Sequence, residues 1–310
     1  MEIIYGHERL DFKTGTVATI GTFDGVHLGH QRIINATVAA ASSAGLPSLL
    51  LTFDVHPRQV LAPKEACEVL TTLEEKLAVL AGFNLDYVGV LDFKAIAGLE
   101  ADEFCRRILI DKARVAQLFV GANFRFGAGA KGDADWLRAN CGGHFTITEF
   151  PLEIRDDTVV SSTRIRDFLK TGQVEKIPDF LGRYILLTGR VVRGAGRGVG
   201  LGFPTANLEF NHGLCQPGGG VYTGYVWVEG TRLPSVINCG TNPTFEDGGF
   251  GCEAHVLDYH AELYGAKVKV ELTTRLRDER KFPSPEELSR QITDDVHRAR
   301  EWFEARKSAK

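Results

Sequence analysis

The sequence predicts two domains of different class, an α/β doubly wound parallel sheet followed by an antiparallel β-barrel that ends in a helix. Three observations carry this. Through about residue 170, short apolar runs alternate with segments of helical period. After Gly182 the chain turns glycine-rich and breaks into short alternating segments. From Ser284 a single capped helical pattern runs toward the C-terminus. The length, 310 residues, is about twice that of one ordinary core.

Each element has a local reason. VATIG (Val17 to Gly21) and PSLLLTF (Pro47 to Phe53) are apolar without alternation, as strands covered on both faces must be. Between them Ile33, Thr37 and Ala41, flanked by Ile34 and Val38, form one apolar stripe that Gly45 ends. Thr72 with Glu75 spells a capping box, followed by Leu73, Leu77 and Leu80 on one face. YVGVLDF is the next strand. A helix near Asp102 to Lys112, a strand QLFVG (Gln117 to Gly121), a helix near Asp133 to Ala139 and a strand FTITEF complete the alternation. The barrel strands are LLTGRVV, GVYTGYVWV, PSVINCG, EAHVLDY and KVKVELTTRL. The terminal helix takes Ser284 as N-cap, Pro285 as its first residue and Glu287 as capping partner, and it turns Leu288, Ile292, Val296 and Ala299 toward the barrel. The segment 170–183 lies where the patterns meet, so the expected domains are residues 1–182 and 183–310. No internal repeat or low-complexity tract is visible.

Composition narrows the function classes. With 44% hydrophobic and 25% charged residues and a net charge of -4, the chain reads as an ordinary globular protein. No basic run points to nucleic acid or to an acidic membrane surface, so neither is an expected partner. MEIIYGHERL is not a leader, and no apolar stretch approaches the roughly 18 residues of a membrane helix. A cytoplasmic location is the expectation. The six cysteines are dispersed without a C-x-x-C pair, and are expected to be reduced, mostly buried thiols.

The chemistry concentrates where the first strand gives way to a helix, in TFDGVHLGHQ, Thr22 to Gln31. Ligands of open α/β sheets sit outside the carboxyl ends of strands. Here Gly25 and Gly29 admit a close backbone approach, and the helix N-terminus presents unpaired N–H groups to an anion. His27 and His30 add donors that can stabilise charge developing on a phosphate chain. A partial metal site or a plain helix start fits the same four residues. No G-x-x-x-x-G-K-[ST] string occurs, and GAGAKG, Gly127 to Gly132, lacks the strand–helix context of a dinucleotide loop. GANFRFG supplies Asn123, Phe124, Arg125 and Phe126 at the same sheet edge. VSSTRIRDFL opens a helix with Ser161, Ser162 and Thr163, which are ordinary caps as well as phosphate donors, and then adds Arg166.

In their order and spacing ATIGTFDGVHLGHQ, TFDVHPRQVLAP, LTTLEEKLAVL, GANFRFG and SSTRIR resemble the Rossmann-like nucleotidyltransferase module of the bacterial bifunctional riboflavin kinase/FAD synthetases. LGFPTAN, GVYTGYV, CGTNPTF, EAHVLDY, LYG and LRDERKF resemble their riboflavin kinase module, so the likeness spans nearly the whole chain. It implies that residues 1–182 transfer AMP from ATP to FMN, giving FAD and pyrophosphate, and that residues 183–310 phosphorylate riboflavin to FMN with ATP. By this resemblance His27 and His30 are catalytic, and Gly21, Phe23, Gly29, Asn123, Ser162, Thr163 and Arg166 bind ATP and its phosphates. Asn123, Phe124 and Arg125 would face the flavin. In the second module Gly202 and Thr205 would bind ATP, Thr205 and Asn207 would hold Mg²⁺ through hard oxygen donors, and Glu253 would be the general base. From the strand pattern alone Glu253 is equally a solvent-facing or lysine-paired glutamate. Two positions depart from the family pattern: some relatives place an arginine near Val159, so either another cation substitutes here or phosphate affinity is weaker, and relatives carry a basic residue at Val199, which bears on the tightness of nucleotide binding.

Other classes predict other features. A single live module with a merely flavin-binding barrel conflicts with intact Thr205, Asn207 and Glu253. A tRNA-synthetase-like protein shares the two-histidine signature, but would need a K-M-S-K-S-like loop and a basic surface. A flavin-sensing regulator of nucleic acid would need a basic stripe.

Overall fold

The structure, a computed structural model, describes residues 1–63, 68–194, 202–211, 213–241, 250–259 and 261–307. The glycine-rich segment around Val199, part of CGTNPTF, and Cys67 lie outside the described residues. The chain divides into two compact units, Met1–Ser162 and Thr163–Lys310.

In the first unit six strands form one parallel sheet: β1 (Glu2–Tyr5), β2 (Thr16–Ile20), β3 (Ser48–Phe53), β4 (Tyr87–Leu91), β5 (Val115–Gly121) and β6 (Thr146–Phe150). Their order is β1-β4-β3-β2-β5-β6. Strands β2 to β6 are doubly wound as expected, and β1, which the sequence reading passed over, adds an edge beside β4. Order reverses between β2 and β5, so the crevice at the carboxyl ends of these two strands is the topological switch point.

The helices α1 (Leu28–Ala44), α2 (Pro57–Leu61), α3 (Leu73–Leu80), α4 (Phe93–Ile96), α5 (Ala101–Phe104) and α6 (Ala134–Cys141) join the strands. Gly45 caps α1, and both bonds of the Thr72/Glu75 box are formed at α3. α5 widens into π-helical turns over Cys105–Lys112, so the expected helix is present with a looser pitch. Leu49 and Leu51 pack on one face with Ile108, Leu118 and Leu137, while Leu50 packs on the other with Ile34, Leu77, Leu80 and Val88. Two covered faces explain why the centre of β3, Leu49 to Leu51, is apolar without alternation.

The second unit is a closed barrel in the order β10-β13-β12-β11-β14-β9. Its strands are β9 (Ile185–Val192), β10 (Ala206–Phe210), β11 (Gly220–Val228), β12 (Thr231–Thr241), β13 (Phe250–Val256) and β14 (Lys267–Arg277), all antiparallel. The strand β10, legible only as part of a motif, closes the barrel between β9 and β13. The helices α7 (Ser162–Lys170) and α8 (Ile177–Leu181) precede it, and from Thr163 onward this stretch packs with the barrel. The terminal helix α9 (Pro285–Lys307) starts at the expected cap, with the Glu287 N–H donating to Ser284 Oγ. Its packing centre lies further along than expected. Ala299 and Phe303 are buried against Val221, Val236 and Leu257, whereas Leu288 and Ile292 stay half-buried. Buried Asp295 on α9 accepts three bonds from Arg277 of β14 at 2.8–3.1 Å.

The described cysteines are buried as expected but not all reduced. Cys105 pairs with Cys141 and Cys239 with Cys252, while buried Cys215 donates from Sγ to the Arg166 carbonyl. Strand register explains the second pair: Cys239 of β12 lies directly opposite Cys252 of β13, with Cα atoms 4.1 Å apart. Separations of 36 and 13 residues carry no such signal.

Candidate active sites

The first site is built on the loop from β2 to α1. Phe23 and Val26 both adopt positive φ, 49° and 46°, a conformation that costs a non-glycine residue about 1–3 kcal/mol. Burial holds them there: both side chains are inserted among Ile34, Leu50, Leu77 and Val88. Polar bonds complete the hold. The buried Asp24 carboxylate accepts from the Leu70 and Thr71 N–H groups, and the Gly25 N–H donates to Thr71 Oγ1. Gln31 Nε2 donates to the Val26 carbonyl. Ser162 Oγ donates to the Asp24 carbonyl at 2.9 Å, which brings this predicted phosphate residue onto the loop.

This frame sets the two histidines. His27 caps α1, its Nδ1 accepting from the His30 N–H at 3.3 Å, so its own proton resides on Nε2. The two rings stack with centroids 3.6 Å apart, and the Phe23 edge meets His30 at 5.1 Å. Burial pushes His27 down to about 4. His30 is held well below its usual range, chiefly by burial and further by the charges of His27 and Lys76. Both rings are therefore neutral near pH 7, hydrogen-bond donors rather than fixed cations. His30 Nδ1 is buried and lacks a partner among the described residues. Gly29 allows this packing, since a Cβ there would stand 3.3 Å from the His27 ring.

At the end of the neighbouring β5, Asn123 is exposed, with Oδ1 3.6 Å from where a Gly121 side chain would begin. Phe124 stacks on buried Phe126 at 5.4 Å, and exposed Arg125 donates to the Phe124 carbonyl. Asn123, Phe124 and Arg125 thus follow the carboxyl end of β5 beside β2, whose end Gly21 extends, whereas the Phe23 side chain is buried in the core and does not line this edge. Val159 is 40% exposed on a small hairpin, opposite Ile154. The nearby cations are Arg155 and Arg32, both on Glu153 at 3.1 and 3.4 Å. Thr163 and Arg166 belong to the second unit, where Arg166 Nη2 donates to Thr163 Oγ1.

Sequence reasoning assigned no role to Asp24, Thr52 or Lys76. Lys76 Nζ donates to the Thr22 carbonyl (3.1 Å), Thr52 Oγ1 (2.8 Å) and the Phe53 carbonyl (3.1 Å). The signal was present: positions 73, 76, 77 and 80 share one helix face, which places a lysine within the apolar stripe of α3.

The second site is a row across three barrel strands. Asn207 of β10 and Asn238 of β12 both register with Glu253 of β13. Thr205 Oγ1 donates to Glu253 Oε2 at 3.4 Å. Asn207 is buried, its Oδ1 without a hydrogen-bond partner among the described residues, and the Gly194 backbone lies so close that a Cβ there would collide with the carboxamide. Gly202 turns at φ 83° just before this row. Asn238, which sequence reasoning missed, is legible only once the register is known.

Comparison with known proteins agrees with both halves. Residues 10–164 match the FAD synthetase family and residues 181–303 the riboflavin kinase family. The bifunctional riboflavin kinase/FMN adenylyltransferase of Escherichia coli K12 is 36% identical over the full length of both chains. That of Pseudomonas fluorescens is 36% identical over 97% of each. A crystal structure described as a macrolide-efflux protein from Streptococcus pneumoniae superposes with a TM-score of 0.88 at 28% identity, covering 97% of this chain and 100% of that one. Among the described residues no helix is long and apolar enough to cross a membrane. The chain belongs to the bifunctional riboflavin kinase/FMN adenylyltransferase family, its FAD synthetase part N-terminal and its riboflavin kinase part C-terminal.

Proposed function

We propose that this chain converts riboflavin to FMN at the barrel and FMN to FAD at the α/β sheet, with ATP as donor in both steps. The observation that carries the reading is that each unit has its own polar cluster of a kind that suits phosphate: stacked neutral histidines at the α1 N-terminus, and a Thr205–Asn207–Glu253 oxygen row on the barrel.

In the sheet unit an FMN phosphate oxygen attacks the α-phosphorus of ATP. The bond from that phosphorus to the bridging oxygen breaks, and pyrophosphate leaves. No nucleophilic side chain takes part, so rate depends on positioning and charge stabilisation. His27 through its Nε2–H, His30 and the first N–H groups of α1 stabilise charge growing on the phosphate chain. Gly21, Phe23 and Gly29 give the nucleotide close access, and Ser162 adds a hydroxyl. Thr163 and Arg166 enter from the motif alone. Asn123, Phe124 and Arg125 orient the flavin phosphate and ring, while Arg155 or Arg32 stands in for the cation absent at Val159.

In the barrel unit the riboflavin 5′-hydroxyl attacks the γ-phosphorus of ATP, ADP leaves, and Glu253 takes the hydroxyl proton. The Thr205 hydroxyl and the unpartnered Asn207 oxygen fit a hard cation. These two residues, with Gly202 beside the nucleotide, would hold Mg²⁺, which supplies neutralisation of phosphate charge when bound.

A time course with riboflavin, ATP and Mg²⁺, with flavins separated by chromatography, tests the reading. FMN is expected first and FAD after it. FMN that accumulates without FAD removes the adenylyl-transfer assignment from the sheet unit.

A further inference from the structure

Among the described residues Lys76 is the one lysine or arginine that the fold buries. It interrupts an apolar helix stripe at the cost of desolvating an ammonium group, and in stability terms a methionine would fill the position better. An ammonium group has three donors, and all three are engaged, by the carbonyls of Thr22 and Phe53 and by Thr52 Oγ1. None is left for a ligand, so Lys76 does not touch substrate. Its acceptors stand at the carboxyl ends of β2 and β3, and Thr22 begins the strained loop that carries both histidines. Thr52 Oγ1 in turn donates to the Thr22 carbonyl at 3.2 Å, which closes the network.

We propose that Lys76 is a positioning residue for adenylyl transfer: it locks the ends of β2 and β3 so that His27 and His30 hold one geometry, and it sets positive charge behind the phosphate site. This rests on the adenylyl-transfer reading of that site. The groups whose charge reaches it are Asp24 in the loop and Asp54 after β3, while His30 on α1 feels its charge in turn. Burial lowers Lys76 to about 8, against the opposing pull of Asp24 and Asp54. The neutral amine has two donors, so the lock loses one bond as pH rises through that value.

The test follows both activities in the full-length chain. Lys76→Met is expected to lower FAD formation about 100-fold, mainly in kcat, the scale of a small misplacement at a reacting centre, and to leave FMN formation within about twofold of wild type. The His30 imidazole titration should move upward once the neighbouring positive charge is gone. Wild type should lose FAD-forming rate as pH rises through about 8, and Lys76→Met should lack that limb. FAD formation at the wild-type rate in Lys76→Met overturns the proposal. If both activities fall together, Thr52→Val decides. It removes one acceptor and is expected to lower FAD formation about tenfold with FMN formation unchanged, and absence of that selective loss also overturns the proposal. A wild-type chain that makes no FAD refutes the adenylyl-transfer reading itself, an outcome distinguished by needing no variant.

Discussion

The two proposed sites would hold phosphate in opposite ways. In the sheet unit the reacting groups ride on a loop with two non-glycine residues at positive φ, kept in place by buried side chains and by Asp24, Thr52 and Lys76. In the barrel unit Asn207, Asn238 and Glu253 stand on adjacent strands, and ladder register alone aligns them. A loop site can close around a nucleotide, but only if other parts of the fold hold it. A ladder site comes nearly rigid and depends on the integrity of the barrel.

The sharpest break of this comparison is a pair of variants. His30→Ala is expected to lower FAD formation by about 100-fold or more, the loss typical of one transition-state donor, with FMN formation retained. Glu253→Gln should lower FMN formation alone, by a similar order. With riboflavin supplied for the first step and FMN supplied separately for the second, equal loss of both activities in either variant would show that the sites are not independent, and product chromatography reads each step.

Stability separates the units next. Asp295→Asn breaks a buried ion pair and leaves Arg277 without its charge partner, at an expected cost of about 3 kcal/mol. Hydrogen exchange should show this loss in the barrel and not in the sheet. An unchanged barrel would mean that the apolar packing of Ala299 and Phe303 and the bonds from Arg298 and Arg300 hold α9 without this pair.

Acid sharpens the contrast in the other direction. His27 drops from 6.5 to about 4 on folding, so between those values the unfolded chain binds a proton that the folded chain does not. The sheet unit therefore loses stability as pH falls from 6.5 toward 4, by about 3 kcal/mol in all, and His30 adds to the loss with the same sign. Denaturant midpoints across that range should shift for wild type and shift less for His27→Gln. The smallest expected effect is that of Ser162→Ala, which loses one bond to the Asp24 carbonyl, about 1 kcal/mol. A much larger fall in its FAD-forming rate would mark direct phosphate contact by the hydroxyl.

Much of this was readable without coordinates. Apolar runs bounded by caps placed the central strands and α1, α3 and α9, because burial on two faces or one stripe writes itself into residue spacing. β1 was missed because it is short, and its Ile3 and Tyr5 are exposed at a sheet edge. The length of α9 was legible, but not that its firmest packing lies at Ala299 and Phe303. Cysteine spacing said nothing of Cys239 and Cys252, which strand register makes neighbours.

By itself the sequence determined the two fold classes, through local periodicity and residue type, while the order of the modules and the motif residues His27, His30, Ser162, Thr205, Asn207 and Glu253 were legible through their resemblance to a known family. Only the tertiary structure decided that Lys76 turns inward to hold Thr22 and Phe53, that the histidine rings stack and stay neutral, and that Asn207 and Asn238 flank Glu253. Each of these depends on groups far apart in the chain meeting in a medium where an unpaired charge or polar atom is costly. Spacing along the chain records who is buried, and only packing records what each buried group finds there.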